Sequence, residues 1–195
     1  MSIIHTAIVF LFLSNTVVVE QKQISQEHLQ MILTDKIKRT AKLGTHPLLI
    51  KAVKEQNAKN VSLDNIKKID QEWTSTNDLT PFKESLQTSL EGKFLKRKIT
   101  NNESIYNEAF LTDNQGANVA AYPATSDYWQ GDETKWSESF NTGKVYIGPV
   151  EFDESTNTNA VQISVPVIDE GKTIGVLVFG VRLSFVEAEE LQSSK

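Results

Sequence analysis

With 195 residues the chain has material for one domain with a sizeable core and some helical elaboration, and too little for two ordinary domains. It contains no cysteine, which excludes disulfides, thiol catalysis and thiolate metal ligands. Its formal net charge of −5 argues against a nucleic-acid binder, which needs a basic surface to displace counterions from phosphates. The charge is uneven: up to residue 100 there are 15 Lys and Arg against 10 Asp and Glu, and thereafter 5 against 15. Solvated helix faces followed by acidic loops are the ordinary meaning of such a split.

The chain begins with an apolar run, Ile3 to Val19, "IIHTAIVFLFLSNTVVV", free of Asp, Glu, Lys and Arg. As a helix its 17 residues would span roughly 26 Å at 1.5 Å per residue, near the short limit for a hydrocarbon core of about 30 Å. Only Met1 and Ser2 precede it, and no Ala-x-Ala-like site follows. Residues 1–20 are therefore expected to be an uncleaved membrane anchor or signal segment, with residues 3–19 in the membrane.

From Ser25 the pattern turns helical, with Leu29, Leu33, Ile37 and Ala41 at spacings of four and Ile32 beside them. Gly44 and the pair His46-Pro47 break it, since a residue before proline avoids the α region. A second helix then runs to about Asn57. Ser62 is placed to cap a short helix carrying Leu63, Ile66, Ile69 and Trp73. Thr80 and Pro81 read as cap and first position of one further helix, with Phe82, Leu86, Leu90, Phe94 and Leu95, that fades at "TNNES". Residues 21–104 thus form a helical region.

Beyond residue 100, which holds seven of the nine glycines, strands replace helices. "IYNEAFLT", the turn Asp113 to Gly116 and "ANVAAY" predict a hairpin. Thr134 to Thr142 predicts a short helix closed by Gly143. The strands "VYIGPVEF", "AVQISVPVI" and "KTIGVLVFGV" follow, with connections short enough to make them antiparallel neighbours. Val161, Ile163, Val165 and Val167 share one face and need an apolar cover, such as the first helix. The expected fold is α+β: a five-stranded antiparallel sheet with a long N-terminal helix and accessory helices. The sheet and its pocket fall in residues 105–185, and 186–195 form a C-terminal tail.

Candidates for catalysis are weak. Ser164 and Ser184 lack the glycines of a nucleophile elbow. His5, His28 and His46 lie far in sequence from the acidic loops. Asp127, Asp132, Glu133, Asp153 and Glu154 lack the alternating spacing of a calcium loop, and no Gly-rich phosphate cradle or Walker lysine is present. No catalytic residue, metal or cofactor is expected. What remains is binding. Tyr122, Tyr128, Trp136 and Tyr146 lie on or beside the loops above one sheet face, where flat side chains can wall a pocket. Asp127 and Asp153 could accept hydrogen bonds from a ligand ammonium or hydroxyl, or could cap turns. Acids with aromatics favour a cationic or polyhydroxylated ligand over an anionic one.

The hairpin "LTDNQGANVAA", the loop and helix "TSDYWQGDETKW", "GKVYIGPVEFDES", "ISVPV" and "GKTIGVLVFGV" occur in the order in which Cache domains arrange such elements. The chain resembles that family of extracytoplasmic, PAS-like sensor modules, also called PDC domains, over roughly residues 105–182. The resemblance implies a small-molecule-binding sensor outside the cell membrane, facing the periplasm or exterior, in a bacterial or archaeal signal-transduction system of the chemoreceptor or histidine-kinase kind. The amino-acid-binding branch carries an R-x-W-Y signature on the helix after the loop; the matching positions here are Thr134, Lys135, Trp136 and Ser137. Trp136 is kept, Asp153 fits a later aspartate of that branch, and the arginine that would clamp an α-carboxylate is replaced. About a dozen residues follow the last strand, so the expectation is a stand-alone anchored binding module, a gene fragment, or one component that signals through a partner protein, with at most a weak homodimer through the stripe of Leu29, Leu33 and Ile37. The competing reading is an interaction or dimerisation module, or a gene fragment, with a vestigial pocket.

Overall fold

The structure, a computed structural model, describes residues 25–153 and 157–193. The expected anchor lies outside them. Among the described residues no helix is long and apolar enough to cross a membrane.

Helix α1 (Gln26–Leu43) starts where Ser25 Oγ accepts the His28 N–H at 3.3 Å. It ends at Gly44, where a Cβ would stand 2.3 Å from the Pro166 carbonyl oxygen. Only glycine allows that approach, and it lets the Gly44 carbonyl accept the Ile168 N–H, fastening α1 to the sheet. The expected break at His46-Pro47 is a helix start: His46 Nδ1 accepts the Leu48 N–H, and Pro47 opens α2 (Pro47–Asn57). Ser62 caps α3 (Leu63–Thr74).

The single helix expected after Thr80 is two, α4 (Pro81–Thr88) and α5 (Leu90–Thr100). Ser89 is extended, with ψ 169°, and its hydroxyl caps α5 by accepting the Gly92 N–H at 3.0 Å. Gly92 is indispensable to this corner, because a Cβ there would lie 2.1 Å from the Leu86 carbonyl oxygen.

Strands β1 (Tyr106–Thr112), β2 (Asn118–Tyr122), β3 (Tyr146–Asp153), β4 (Thr158–Asp169) and β5 (Lys172–Arg182) form one antiparallel sheet in the order β2-β1-β5-β4-β3. Asp113 shapes the β1–β2 turn by accepting the Gln115 and Ala117 N–H groups. Helix α6 (Thr134–Thr142) links β2 to β3 and stops at Gly143, φ +65°. The expected C-terminal tail is in part a helix, α7 (Leu183–Ser193), which continues β5 without a loop. Val186 is buried there, and Phe185 lies under Lys36 of α1, Nζ 4.8 Å from the ring centroid.

The sheet separates two environments. Val161, Ile163, Val165, Val167, Ala109, Leu111 and Phe179 point to the main core, shared with α1, α2 and α5. Leu29 and Leu33 are 1% and 0% exposed in it. The stripe expected to pair two chains is therefore consumed within one chain, because the sheet's apolar face needs that cover. On the opposite face a smaller cluster of Phe110, Ala121, Val176 and Val178 packs under Trp136 of α6.

Candidate functional site

The α6 side of the sheet holds a cavity of about 290 Å³. Strand alternation sets its floor. Glu108 and Phe110 of β1 and Ala160 and Gln162 of β4 point to this face, with Glu151 of β3 opposite Ala160. β1 and β4 are not neighbours. β5 runs between them, and Gly180 is the partner of both Glu108 and Gln162. Having no side chain, Gly180 lets those two meet above it, Gln162 Nε2 donating to Glu108 Oε1 at 2.7 Å. A Cβ there would lie 2.7 Å from Glu108 Cγ and 2.3 Å from Asn107 Oδ1. The glycine is thus part of the floor.

The roof is the segment after β2, with Thr125, Ser126, Asp127 and Gln130, joined by Glu133 and Lys135 at the start of α6. Helix α3 holds this segment at two points. Asp70 Oδ1 accepts the Tyr128 and Trp129 N–H groups at 2.8 and 3.0 Å, and the Trp73 indole donates to the Thr125 carbonyl at 2.9 Å. From the hairpin side, the Trp129 indole donates to the Gln115 carbonyl, and Asn118 Nδ2 reaches both Thr125 Oγ1 and the Asp127 carbonyl.

Asp127 is the centre of the roof. Its carboxylate accepts from Gln130 Nε2 and from Ser126 Oγ. Burial pushes its carboxyl above the usual carboxylate range, partly offset by the nearby Lys135 ammonium and by the Gln130 bond. A carboxyl whose pKa rises on folding stabilises the fold fully below its unfolded value of about 3.9 and loses that contribution as pH climbs through the folded value. Asp127→Asn is therefore expected to exceed wild type in stability near neutral pH, the gap closing on acidification towards pH ~4. Urea unfolding at the two pH values reads this; an offset independent of pH would exclude the carboxylate as its cause.

Of the six residues expected to bind ligand, Asp127 lies in the cavity wall. Trp136 lies next to it. It is 9% exposed, stacks on Phe140 at 4.6 Å and 13°, and packs in the cluster that contains the floor residue Phe110. Tyr128 is not brought to the cavity. Asp70 draws its backbone to α3, so the ring is 4% exposed among Ile66, Trp73 and Phe82, and burial pushes its hydroxyl up to about 12. Tyr122 falls on the helical side of the sheet, beside the main core and under Lys96. Tyr146, half-buried, opens β3 opposite Ser164 and is not among the lining residues. Asp153 closes β3, and its side chain lies outside what the structure describes. Lining residues not singled out from the sequence include Glu108, Phe110, Gln130, Lys135, Glu151 and Gln162. Alternation held the signal for three of them: with Val161 and Ile163 facing the core, Gln162 must face away, and Glu108 and Phe110 share a face at i and i+2. Among the described residues no group of three His, Cys, Asp or Glu is placed to hold a metal ion.

Comparison with known proteins gives the lineage. No curated protein matches the sequence. Solved structures with a similar arrangement include the ligand-binding domain of the Campylobacter jejuni chemoreceptor Tlp3 in complex with 4-methylisoleucine, at 15% identity and TM-score 0.44, covering 81% of this chain and 63% of that one. The Escherichia coli DcuS sensor domain aligns at 18% identity and TM-score 0.41, covering 66% and 96%. The sensor domain of the Vibrio cholerae histidine kinase DctB aligns at 14% and 0.39, covering 80% and 60%. The chain thus spans about 63% of the Tlp3 domain's length. The sequence family of methyl-accepting chemotaxis protein-like first PDC sensor domains matches residues 81–188, more than half of the chain, and to that family the chain belongs.

Proposed function

We propose that the protein is the small-molecule-binding sensor module of a receptor, held outside the cytoplasm by residues 3–19, with no chemistry of its own and its signal passed on through a partner protein. The observation that supports this reading is the cavity of about 290 Å³, set on the sheet face that the long helix does not cover and walled by polar side chains. Residues 21–104 brace the sheet, and residues 105–185 carry the site. Asp127 contacts the ligand, Trp136 supports the floor beneath it, and Tyr146 and Asp153, at the two ends of β3, complete the expected set. Tyr122 and Tyr128 act on the site only through packing.

Two measurements test the reading. Fractionation should find the full-length protein in the membrane, released only by detergent; recovery in the soluble cytosol would overturn the placement. A thermal-shift panel of amines, polyols, carboxylates and purines should contain a compound that raises the wild-type midpoint with the logarithm of its excess. Asp127→Ala and Asp153→Ala should lose that response while their unliganded midpoints move little. A wild type deaf to every compound would overturn the binding role.

A further inference from the structure

Among the described residues the cavity lining carries four carboxylates, on Glu108, Asp127, Glu133 and Glu151, against one ammonium, on Lys135, and no guanidinium. Those residues leave a formal excess of three negative charges. The donors present are already committed to these acceptors. Gln162 Nε2 is given to Glu108, and Gln130 Nε2 to Asp127. An independent observation points the same way: Gln130 is 1% exposed in the wall, and its Oε1, a buried acceptor, has no partner among the described residues. Buried acceptors left unmatched are costly, and a donor that satisfied them would recover that cost.

The one cation among the described lining residues shows where such a donor would sit. Lys135 leaves α6 with its side chain 19% exposed, its Nζ 3.9 Å from Glu133 Oε1 and 5.7 Å from the centroid of the floor ring Phe110. An ammonium among carboxylates and above an aromatic face is the arrangement by which proteins recognise organic cations.

We propose that Lys135 is a built-in occupant of a cation subsite, and that the ligand is a small primary amine without a carboxylate, whose ammonium takes the place of the lysine head. This rests on the reading of the cavity as a ligand site and names its chemistry. The lysine offsets one of those negative charges when the site is empty. On binding, its flexible stem swings the head outward to solvent, and the N–H groups of the amine meet Asp127, Glu133 and Gln130 Oε1.

The test is isothermal titration of the full-length protein in detergent with putrescine, choline, L-isoleucine and succinate, each against wild type, Lys135→Met and Lys144→Met. Lys144 is an exposed residue outside the cavity wall, so its variant removes the same charge without vacating the subsite. Putrescine should bind wild type, and Lys135→Met should bind it on the order of tenfold more tightly, since the internal competitor is gone. Lys144→Met should stay within about twofold of wild type. Choline, a cation without N–H groups, should bind at least about tenfold more weakly than putrescine, and succinate not at all. Equal binding of choline and putrescine, or unchanged or weaker putrescine binding by Lys135→Met, would overturn the proposal. Binding of succinate or L-isoleucine without putrescine would overturn it while leaving a ligand site standing. Silence of all four probes with all three proteins would overturn both.

Discussion

Trp136→Ala should destabilise the protein by about 3 to 5 kcal/mol, the usual cost of deleting a large buried ring. The indole is 9% exposed, stacked on Phe140 and seated over Phe110, Ala121, Val176 and Val178. Its removal opens a void between α6 and the sheet that backbone atoms on both sides cannot easily close. Loss of ligand response should accompany the loss of stability, because Phe110 is both a member of this cluster and part of the cavity floor. Trp136→Phe should be far milder. The indole Nε1 has no partner among the described residues, so no hydrogen bond is lost with it. Equilibrium urea unfolding checks both variants. A cost below about 1 kcal/mol for the alanine would mean that the ring is a surface cover and not a core element.

Asp70→Ala is expected to cost about 3 kcal/mol, since hydrogen bonds to a charged acceptor contribute about 1.5 to 3 kcal/mol each and two part-buried N–H groups lose their partner together. Asp70→Asn keeps an acceptor oxygen and should cost about half as much. The damage should be local. Amide exchange at Tyr128 and Trp129 should accelerate in Asp70→Ala, while the amides of α1, seated on the other side of the sheet, keep their protection. Uniform acceleration along the chain would show that α3 and the cavity roof do not form a separable unit.

The features that sequence made legible are those decided locally. Ser25, Ser62 and Thr80 cap helices because a short oxygen-bearing side chain at an extended residue can reach the free N–H groups ahead of it. Strand number, the hairpin and the α6 stop at Gly143 follow from alternation and turn chemistry in the same way. The break at Ser89 escaped because Leu86 and Leu90 keep a helical spacing across it; the close approach of Gly92 to the Leu86 carbonyl is a tertiary fact. Helix α7 escaped because nothing punctuates the passage from Arg182 to Leu183. The site divides along the same line. Asp127 was visible as an acid in an aromatic loop. Glu108 and Gln162 meet only because β5 inserts between β1 and β4 with a glycine at the crossing, and strand order is not written in any window of the chain. Tyr128 packs against α3 because the carboxylate that holds its backbone lies 58 residues earlier, a contact no local window contains.

The two-sided sheet also bears on how such a module can diversify. Along β4, Val161 and Ile163 belong to the dry side, while Ala160 and Gln162 belong to the wet one. Along β1, Ala109 and Leu111 alternate with Glu108 and Phe110 in the same manner. Adjacent codons therefore face different sides of the sheet, one the main core and the next the cavity. Substitutions at positions 108, 151 and 162 can change the cavity wall without entering the main core. Divergent specificities over an unchanged frame are what that division of labour permits.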